Sequence, residues 1–239
     1  MSKPGGVILE IRTVQATPWR TLWEVLKEIL TDINVTFDNE GMRINAIDIT
    51  RVSLVHLKLD GCNFEYYHCE KPITIGLNTL SLFKLMKSLT NTDVLTLFIE
   101  ENNPNILKIN IDNSDRNYKT EFSLKLLDLD EEIISIPDLN SDVTVVTLPS
   151  SELQRIVRDM NALSDNMKIR LTENDCLELS CHGDVASQTT TLGESSVGLT
   201  LSSIGQKCSS FESSFSLKYL SLFVKSGSLS TNCEMLLRD

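Results

Sequence analysis

The chain has 239 residues, 41% of them apolar, enough for one large domain or two of moderate size with real cores. No apolar run approaches the roughly 18 residues of a membrane helix, and the opening "MSKPGGVILEIR" has no secretory-signal pattern, so a soluble intracellular protein is expected. Twenty-two basic residues against 33 acidic ones give a net charge of −11, which taken alone argues against a polyanionic partner.

Strand-like segments dominate. They are "VILEIR" (7–12), "NVTFDN" (34–39), "MRINAI" (42–47), "VSLVHLKLD" (52–60), "ITIGLN" (73–78), "VLTLFIE" (94–100) and "ILKINID" (106–112). Further along come "VTVVTL" (143–148), "MKIRLT" (167–172), "LELSC" (177–181), "SVGLTLS" (196–202) and "FESSFSL" (211–217). Their spacing and β-branched content predict antiparallel sheet joined by tight turns, one of them at Asn39-Glu40-Gly41.

Four helical windows interrupt the strands. The first opens at Thr17-Pro18, a capping residue followed by a first-turn proline, and carries Leu22, Val25, Leu26, Ile29, Leu30 and Ile33 on one face. The second, 78–89, has Asn78 as cap and turns Phe83, Met86 and Leu89 inward. The third, 150–163, buries Leu153, Ile156, Val157, Met160 and Leu163; the fourth, 216–226, offers Leu217, Leu220, Phe223 and Val224.

The element order repeats. Residues 19–47 and 150–181 both read helix, strand, turn, strand, and residues 78–99 match 216–237, with a "KS" pair closing the helix in each. This is a two-fold internal repeat. Between the copies lies "LLDLDEEIISIPDLNSD" (126–142), with six carboxylates, no base, and Ile133, Ile134, Ile136 and Leu139 in its middle. The expected organisation is therefore two repeated domains, 1–127 and 143–239, joined by a connector at 128–142.

The placement of the basic residues points the opposite way from the net charge. Arg20 and Lys27 are seven apart, Lys84 and Lys87 three, Arg155 and Arg158 three, Lys218 and Lys225 seven. Such spacings place each pair on one stripe of its helix. Polar helix faces often carry bases simply because they are wet, and Glu24, Glu28 and Asp159 intrude near two stripes. In so acidic a chain, however, four scattered faces would carry more acid than base. Stripes without Asn/Gln-rich readers or interleaved aromatics suit phosphate contact rather than base reading, and such binding is weak, salt-dependent and free to slide.

Other chemistry is poorly supported. His68-Cys69 and Cys181-His182, with Cys62, lack zinc-site spacing, and six cysteines without a Cys-x-x-Cys pair read as reduced thiols. Asp128 and Asp130 sit on the connector, where acids are usually solvated. No phosphate loop, nucleophile elbow or dinucleotide turn occurs, so neither an enzyme nor a cofactor or metal is expected.

Several stretches carry a resemblance: "AIDITRVSLVHLKL" (46–59), "YHCEKPITIGLNTLSLFKLMKSL" (67–89), "LKLLDLDEEIISIP" (124–137), "LPSSELQRIVRDMNAL" (148–163) and "LKYLSLFVKS" (217–226). Through them, and over nearly its whole length in order, the chain resembles the proliferating cell nuclear antigen family, the eukaryotic-type DNA sliding clamps. The resemblance implies an α+β DNA-clamp fold of two repeated domains, with antiparallel sheets outside and two helices inside each. It also implies a trimeric ring of pseudo-six-fold form around duplex DNA, with the eight bases above at the family's inner-surface positions. Subunits would join edge to edge, the strand through Thr120, Glu121 and Phe122 pairing with Ser187, Gln188, Thr189, Thr190 and Thr191 of a neighbour. The connector would border a groove for a short partner peptide, with Ile134, Ile136 and Pro137 on its apolar side and Ile47, Arg51 and Val52 from the hairpin beneath. A helical turn with aliphatic and aromatic anchors would dock there.

The implied partners are DNA polymerase and other replication and repair proteins, and an ATP-driven loader that opens and closes the ring. No membrane is implied. The implied location is the nucleus, or the cytoplasmic replication site of a large DNA virus. Arg51 replaces a small or imidazole side chain, Ile47 replaces the commoner methionine, and the loop 172–176 lacks a lysine that many relatives modify. Relatives also continue beyond the point matched by "CEMLLRD" (233–239), so the chain is either incomplete or completes its second domain otherwise. A subunit of a mixed-ring checkpoint clamp and a viral processivity factor without a closed ring share the same features and stand as alternatives.

Overall fold

The structure is a computed structural model and describes residues 6–113, 115–130, 134, 143–172, 176–193, 198–204 and 211–238. The chain divides into two compact units, Met1–Ile136 and Pro137–Asp239.

The first unit runs β1 (Val7–Thr13), α1 (Ala16–Ile29), β2 (Asp32–Phe37), β3 (Gly41–Ile47), β4 (Leu54–Asp60), β5 (Tyr66–Cys69), β6 (Ile73–Asn78), α2 (Thr79–Met86), β7 (Val94–Glu100), β8 (Ile106–Asn113) and β9 (Tyr118–Lys125). Two antiparallel sheets result, in the orders β5-β1-β7-β8-β9 and β4-β3-β2-β6. Strict alternation drives them: in β7 and β8 every second side chain is buried, so one face of the sheet meets the core and the other meets water. The helices close that core. Trp23, Leu26 and Leu30 from α1 and its end, and Leu82, Phe83, Met86 and Leu89 from α2 and its end, pack with Leu9, Ile11, Val35, Ile44, Leu97 and Ile109. The turn at 38–41 forms as expected: the Asp38 carboxylate accepts from the Glu40 and Gly41 amides at 2.8 and 3.1 Å.

The second unit repeats the plan: β10 (Val143–Pro149), α3 (Ser150–Asn161), β11 (Asn166–Leu171), β12 (Cys176–His182), β13 (Ser187–Gly193), β14 (Thr200–Ile204), β15 (Phe211–Ser216), α4 (Leu217–Phe223), a 3-10 turn (Val224–Ser228) and β16 (Asn232–Leu237). Its sheets, β14-β10-β16 and β13-β12-β11-β15, reproduce β5-β1-β7 and β4-β3-β2-β6 strand for strand. Among the described residues, β8 and β9 have no counterpart here.

Several expectations need correction. The first helix begins at Ala16, with Gln15 at the N-cap and no side-chain cap, so Thr17 and Pro18 lie inside the first turn, where a proline costs no hydrogen bond. Trp19 and Trp23, absent from the expected core face, are 5% and 1% exposed and pack as a tilted pair 6.1 Å apart between ring centroids. The fourth helix stops at Phe223, and Lys225 belongs to the tighter 3-10 turn. Leu163 and Phe223, expected in the core, are both 36% exposed. Leu127, the last residue of the expected first domain, bridges to Gly76 of β6. Asn78 caps α2 as expected, accepting from the Ser81 amide at 2.9 Å.

No helix is long and apolar enough to cross a membrane. Among the described residues no group of three or more His, Cys, Asp or Glu is placed to hold a metal ion.

Candidate functional site

Each unit turns a basic helix face away from its core. In the first unit Lys84 and Lys87 are exposed, Lys84 in the last turn of α2 and Lys87 at its C-cap, where positive charge also suits the helix dipole. The other two bases are committed. Arg20 Nη1 donates to the Leu89 carbonyl at 2.8 Å, tying α1 to the end of α2. Lys27 pairs with Glu28, lies 4.9 Å from the centre of the Phe83 ring, and its side chain is only 15% exposed.

In the second unit Arg155 and Arg158 project from α3, and both are exposed. Arg155 bonds Glu152 one turn earlier and reaches Asp159 at 3.5 Å one turn later. The hydrogen bond between them holds the Glu152 carboxyl below, and the Arg155 guanidinium above, their ordinary values. Arg158 approaches Asp159 at 3.8 Å and is three-quarters exposed. Lys218 and Lys225 are exposed, Lys218 lying 5.8 Å from the Tyr219 ring centre. Lys225 lies two residues into the 3-10 turn that follows α4, beyond the helix that carries Lys218.

The groove residues fall on two structures. The first is the hairpin joining β3 to β4. Asp48, 5% exposed, is its hub: its carboxylate accepts from the Thr50 hydroxyl, from the Thr50, Val52 and Ser53 amides at 3.0, 2.8 and 2.6 Å, and from the Ser53 hydroxyl at 3.1 Å. These donors, the Thr50 hydroxyl foremost, depress the Asp48 pKa far below the usual carboxylate value. Arg51 takes a left-handed backbone conformation (φ 58°), which the caged turn imposes on a residue that disfavours it. The cage thereby holds Val52 (66% exposed) and Ile49 (90% exposed) out toward water. Hydrophobic spacing does not single out Ile49. An Asp followed by Thr at the second position and Ser at the fifth is the available signal, since short polar side chains bond the backbone just downstream.

The second structure is the start of the connector, lying on the outer face of the β4-β3-β2-β6 sheet. The Leu127 amide donates to the Gly76 carbonyl at 2.7 Å, making an antiparallel bridge to β6, and Asn34 Nδ2 donates to the Asp130 carbonyl at 3.0 Å. Beneath this span is a cavity of about 630 Å³. Its roof is Leu129, Asp130 and Ile134, its floor includes Thr36, Asn45 and Thr74, and Ile47 lines one end. Ile47 and Ile134 are thus brought together, whereas Arg51 and Val52 stand on the adjoining hairpin and do not line the cavity. Ile136 and Pro137 lie outside the described residues.

The expected interface residues sit on sheet edges. Thr120, Glu121 and Phe122 are in β9, the last strand of its sheet; Ser187 to Thr191 are in β13, likewise terminal. Phe122 packs on the core, and Glu121 pairs with Lys119 at 2.9 Å. Each edge offers a row of backbone donors and acceptors of the kind that recruits another strand.

Comparison with known proteins fits this geometry. "Proliferating cell nuclear antigen, N-terminal domain" matches residues 8–133, and "Proliferating cell nuclear antigen, C-terminal domain" matches 135–239. The chain is 36% identical over 237 residues to "Probable DNA polymerase sliding clamp 1" of Paramecium bursaria Chlorella virus 1, covering 98% of this chain and 89% of that one. It is 33% identical over 234 residues to the proliferating cell nuclear antigen of Chaetomium thermophilum, covering 97% and 89%. Against the same protein of Saccharomyces cerevisiae it is 33% identical over 180 residues, covering 75% and 69%. Two domain matches spanning almost every residue, on a fold that repeats itself at the same boundary, establish that the chain belongs to the proliferating cell nuclear antigen family.

Proposed function

We propose that the chain is a DNA sliding clamp, a processivity factor that stays on duplex DNA and holds DNA polymerase there. The observation that carries this reading is charge placement: in a family member of net charge −11, exposed lysines and arginines recur on the helix faces of both repeated units. Such faces meet phosphates without reading bases, so contact is non-specific and permits sliding. The surrounding negative charge opposes fixed adhesion.

On this reading three subunits close a ring, each β9 edge pairing with a neighbour's β13 edge, with Thr120, Glu121 and Phe122 opposite Ser187 to Thr191. Closure removes two aggregation-prone edges per subunit. Arg20, Lys27, Lys84, Lys87, Arg155, Arg158, Lys218 and Lys225 face the hole. The connector at 128–142 joins domains 1–127 and 143–239, and an ATP-driven loader opens the ring. Polymerases and repair proteins dock a short peptide against Ile47, Arg51, Val52, Ile134, Ile136 and Pro137. The protein acts as a scaffold and performs no chemistry of its own. Its place of work is the nucleus, or the cytoplasmic replication site if the genome it serves is that of a large DNA virus.

The deciding experiment loads the protein onto nicked circular DNA and then linearises the DNA. A clamp is retained on the circle and runs off the cut ends; equal retention on both would refute encirclement. Changing Ile134 and Ile136 together to serine is expected to abolish polymerase stimulation while leaving the assembly intact. Loss of the assembly instead would assign those side chains to folding.

A further inference from the structure

The cavity beneath the connector depends on a residue with no side chain. Gly76 lies in β6 opposite Asn34 of β2, on the outer face of the sheet that also carries Thr74 and Asn78. A Cβ added there would overlap the Leu127 carbonyl oxygen and come within 3.0 Å of Leu129 Cγ and 3.1 Å of the Leu127 carbonyl carbon. Two of these three atoms belong to backbone and have no rotamer by which to retreat. The strand cannot retreat either, because its neighbours Ile75 and Leu77 are locked in the core at 4% and 2% exposure. Any side chain at 76 must therefore raise the connector. The bond from the Leu127 amide to the Gly76 carbonyl would break first. The bond from Asn34 to the Asp130 carbonyl, three residues on, would follow.

We propose that Gly76 is a positioning residue for partner docking. By admitting the Leu127 carbonyl against the sheet, it sets the height of the connector and so delivers Leu129 and Ile134 to the wall they share with Ile47. Asn34 is the second fixing point. This inference rests on the peptide-groove reading above. It adds that groove shape is set from the floor of the outer sheet. The partner class is the same, a peptide with aliphatic and aromatic anchors on a helical turn.

The test uses the full chain and a fluorescein-labelled synthetic peptide of that design, with affinity read by anisotropy and the Leu127 amide read by hydrogen exchange. For Gly76→Ala the peptide Kd is expected to rise by about tenfold or more, and the Leu127 amide to lose protection. Exchange in β6, the thermal midpoint and retention on circular DNA are expected to match the parent. Asn34→Ala removes one anchor and leaves β6 untouched, with an expected rise of about threefold in Kd. If Gly76→Ala binds the peptide as the parent does, with Leu127 still protected, the inference is wrong. Should Gly76→Ala lower the thermal midpoint sharply, Asn34→Ala decides, and unchanged affinity in that folded variant overturns the proposal. A parent protein that loads on DNA yet binds no peptide refutes the groove reading itself, a result distinct from either.

Discussion

Arg20 spans two helices: its guanidinium donates to the Leu89 carbonyl at 2.8 Å, satisfying a backbone acceptor just past the end of α2. A base placed on a DNA-facing stripe by spacing alone is thus also a structural bond. Arg20→Ala is expected to cost about 1 kcal/mol of stability in the first unit, a fall of about 4 °C in its thermal midpoint, besides weakening retention on DNA. Lys84→Ala, by contrast, is expected to leave the midpoint unchanged. Thermal unfolding of the two variants side by side checks the distinction, and equal midpoints would remove Arg20 from the helix joint.

The same logic separates available charge from engaged charge. Lys84 and Lys87 are exposed with no carboxylate within ion-pair reach among the described residues, whereas Arg155 is held between Glu152 and Asp159. Replacing both lysines with alanine is expected to reduce the slope of log retention against log salt by about 2 for each subunit, about 5 for a ring of three. Reversal to glutamate should weaken retention further at low salt, where screening is least. Glu152→Gln should release Arg155 and strengthen retention. Salt titrations on circular DNA measure all three, and an unchanged slope in the double lysine variant would dismiss the stripe as a phosphate contact.

Much of this is legible in the sequence because it is periodic. Alternation locates most strands, helical spacing locates the four helices, and the repeated order of elements locates the two units. What escapes is non-periodic. Trp19 and Trp23 are four apart on the inner face of α1, yet lie upstream of most of the aliphatic run that defines that face. Strand β5 is only four residues long, too short for an alternating pattern to stand out. The connector reads as a tether because its charge is local information. The seat that holds its start involves Gly76, more than 50 residues away, and no spacing rule reaches that far. Likewise family resemblance groups Arg51 and Val52 with the groove, while the cavity itself is lined by Ile47 and Ile134.

Asp48 makes the hairpin a test of polar satisfaction. Its carboxylate only accepts, and the donors that converge on it include the Thr50, Val52 and Ser53 amides and the Thr50 and Ser53 hydroxyls. In Asp48→Asn one oxygen becomes an NH₂ that faces a donor, so at least one hydrogen bond is replaced by a clash of hydrogens. The variant is expected to bind partner peptides several-fold more weakly through loss of the Val52 wall, with DNA retention unaffected; calorimetric titration with peptide checks this. The pH dependence follows from the depressed pKa. A carboxyl whose folded value lies below its unfolded value of about 4 stabilises fully above that value, and the contribution is lost as pH falls toward the folded one. Peptide affinity should therefore be flat in Asp48 ionisation from pH 8 to about pH 5 and decline only in stronger acid. A titration midpoint near neutrality would show that another group controls the loop.

Assembly can be separated from folding by proline placed in β13. Consecutive residues in an edge strand point their amides in opposite directions, one into the sheet and one outward. Of Thr189 and Thr190, which pair with Ser180 and Leu179 of β12, one therefore donates inward and the other offers its amide to a neighbour. Proline at the inward position removes a sheet bond and should destabilise the second unit. Proline at the outward position removes a donor the folded subunit does not use, and should leave the thermal midpoint of an isolated subunit intact. Sedimentation of Thr189→Pro and Thr190→Pro is expected to show one variant folded but monomeric, beside a trimeric parent. If both variants sediment as trimers, β13 is not the joint and subunits must meet elsewhere. If the parent is itself a monomer at every concentration, the closed homotrimer is refuted, and retention on circular DNA would need a different topology.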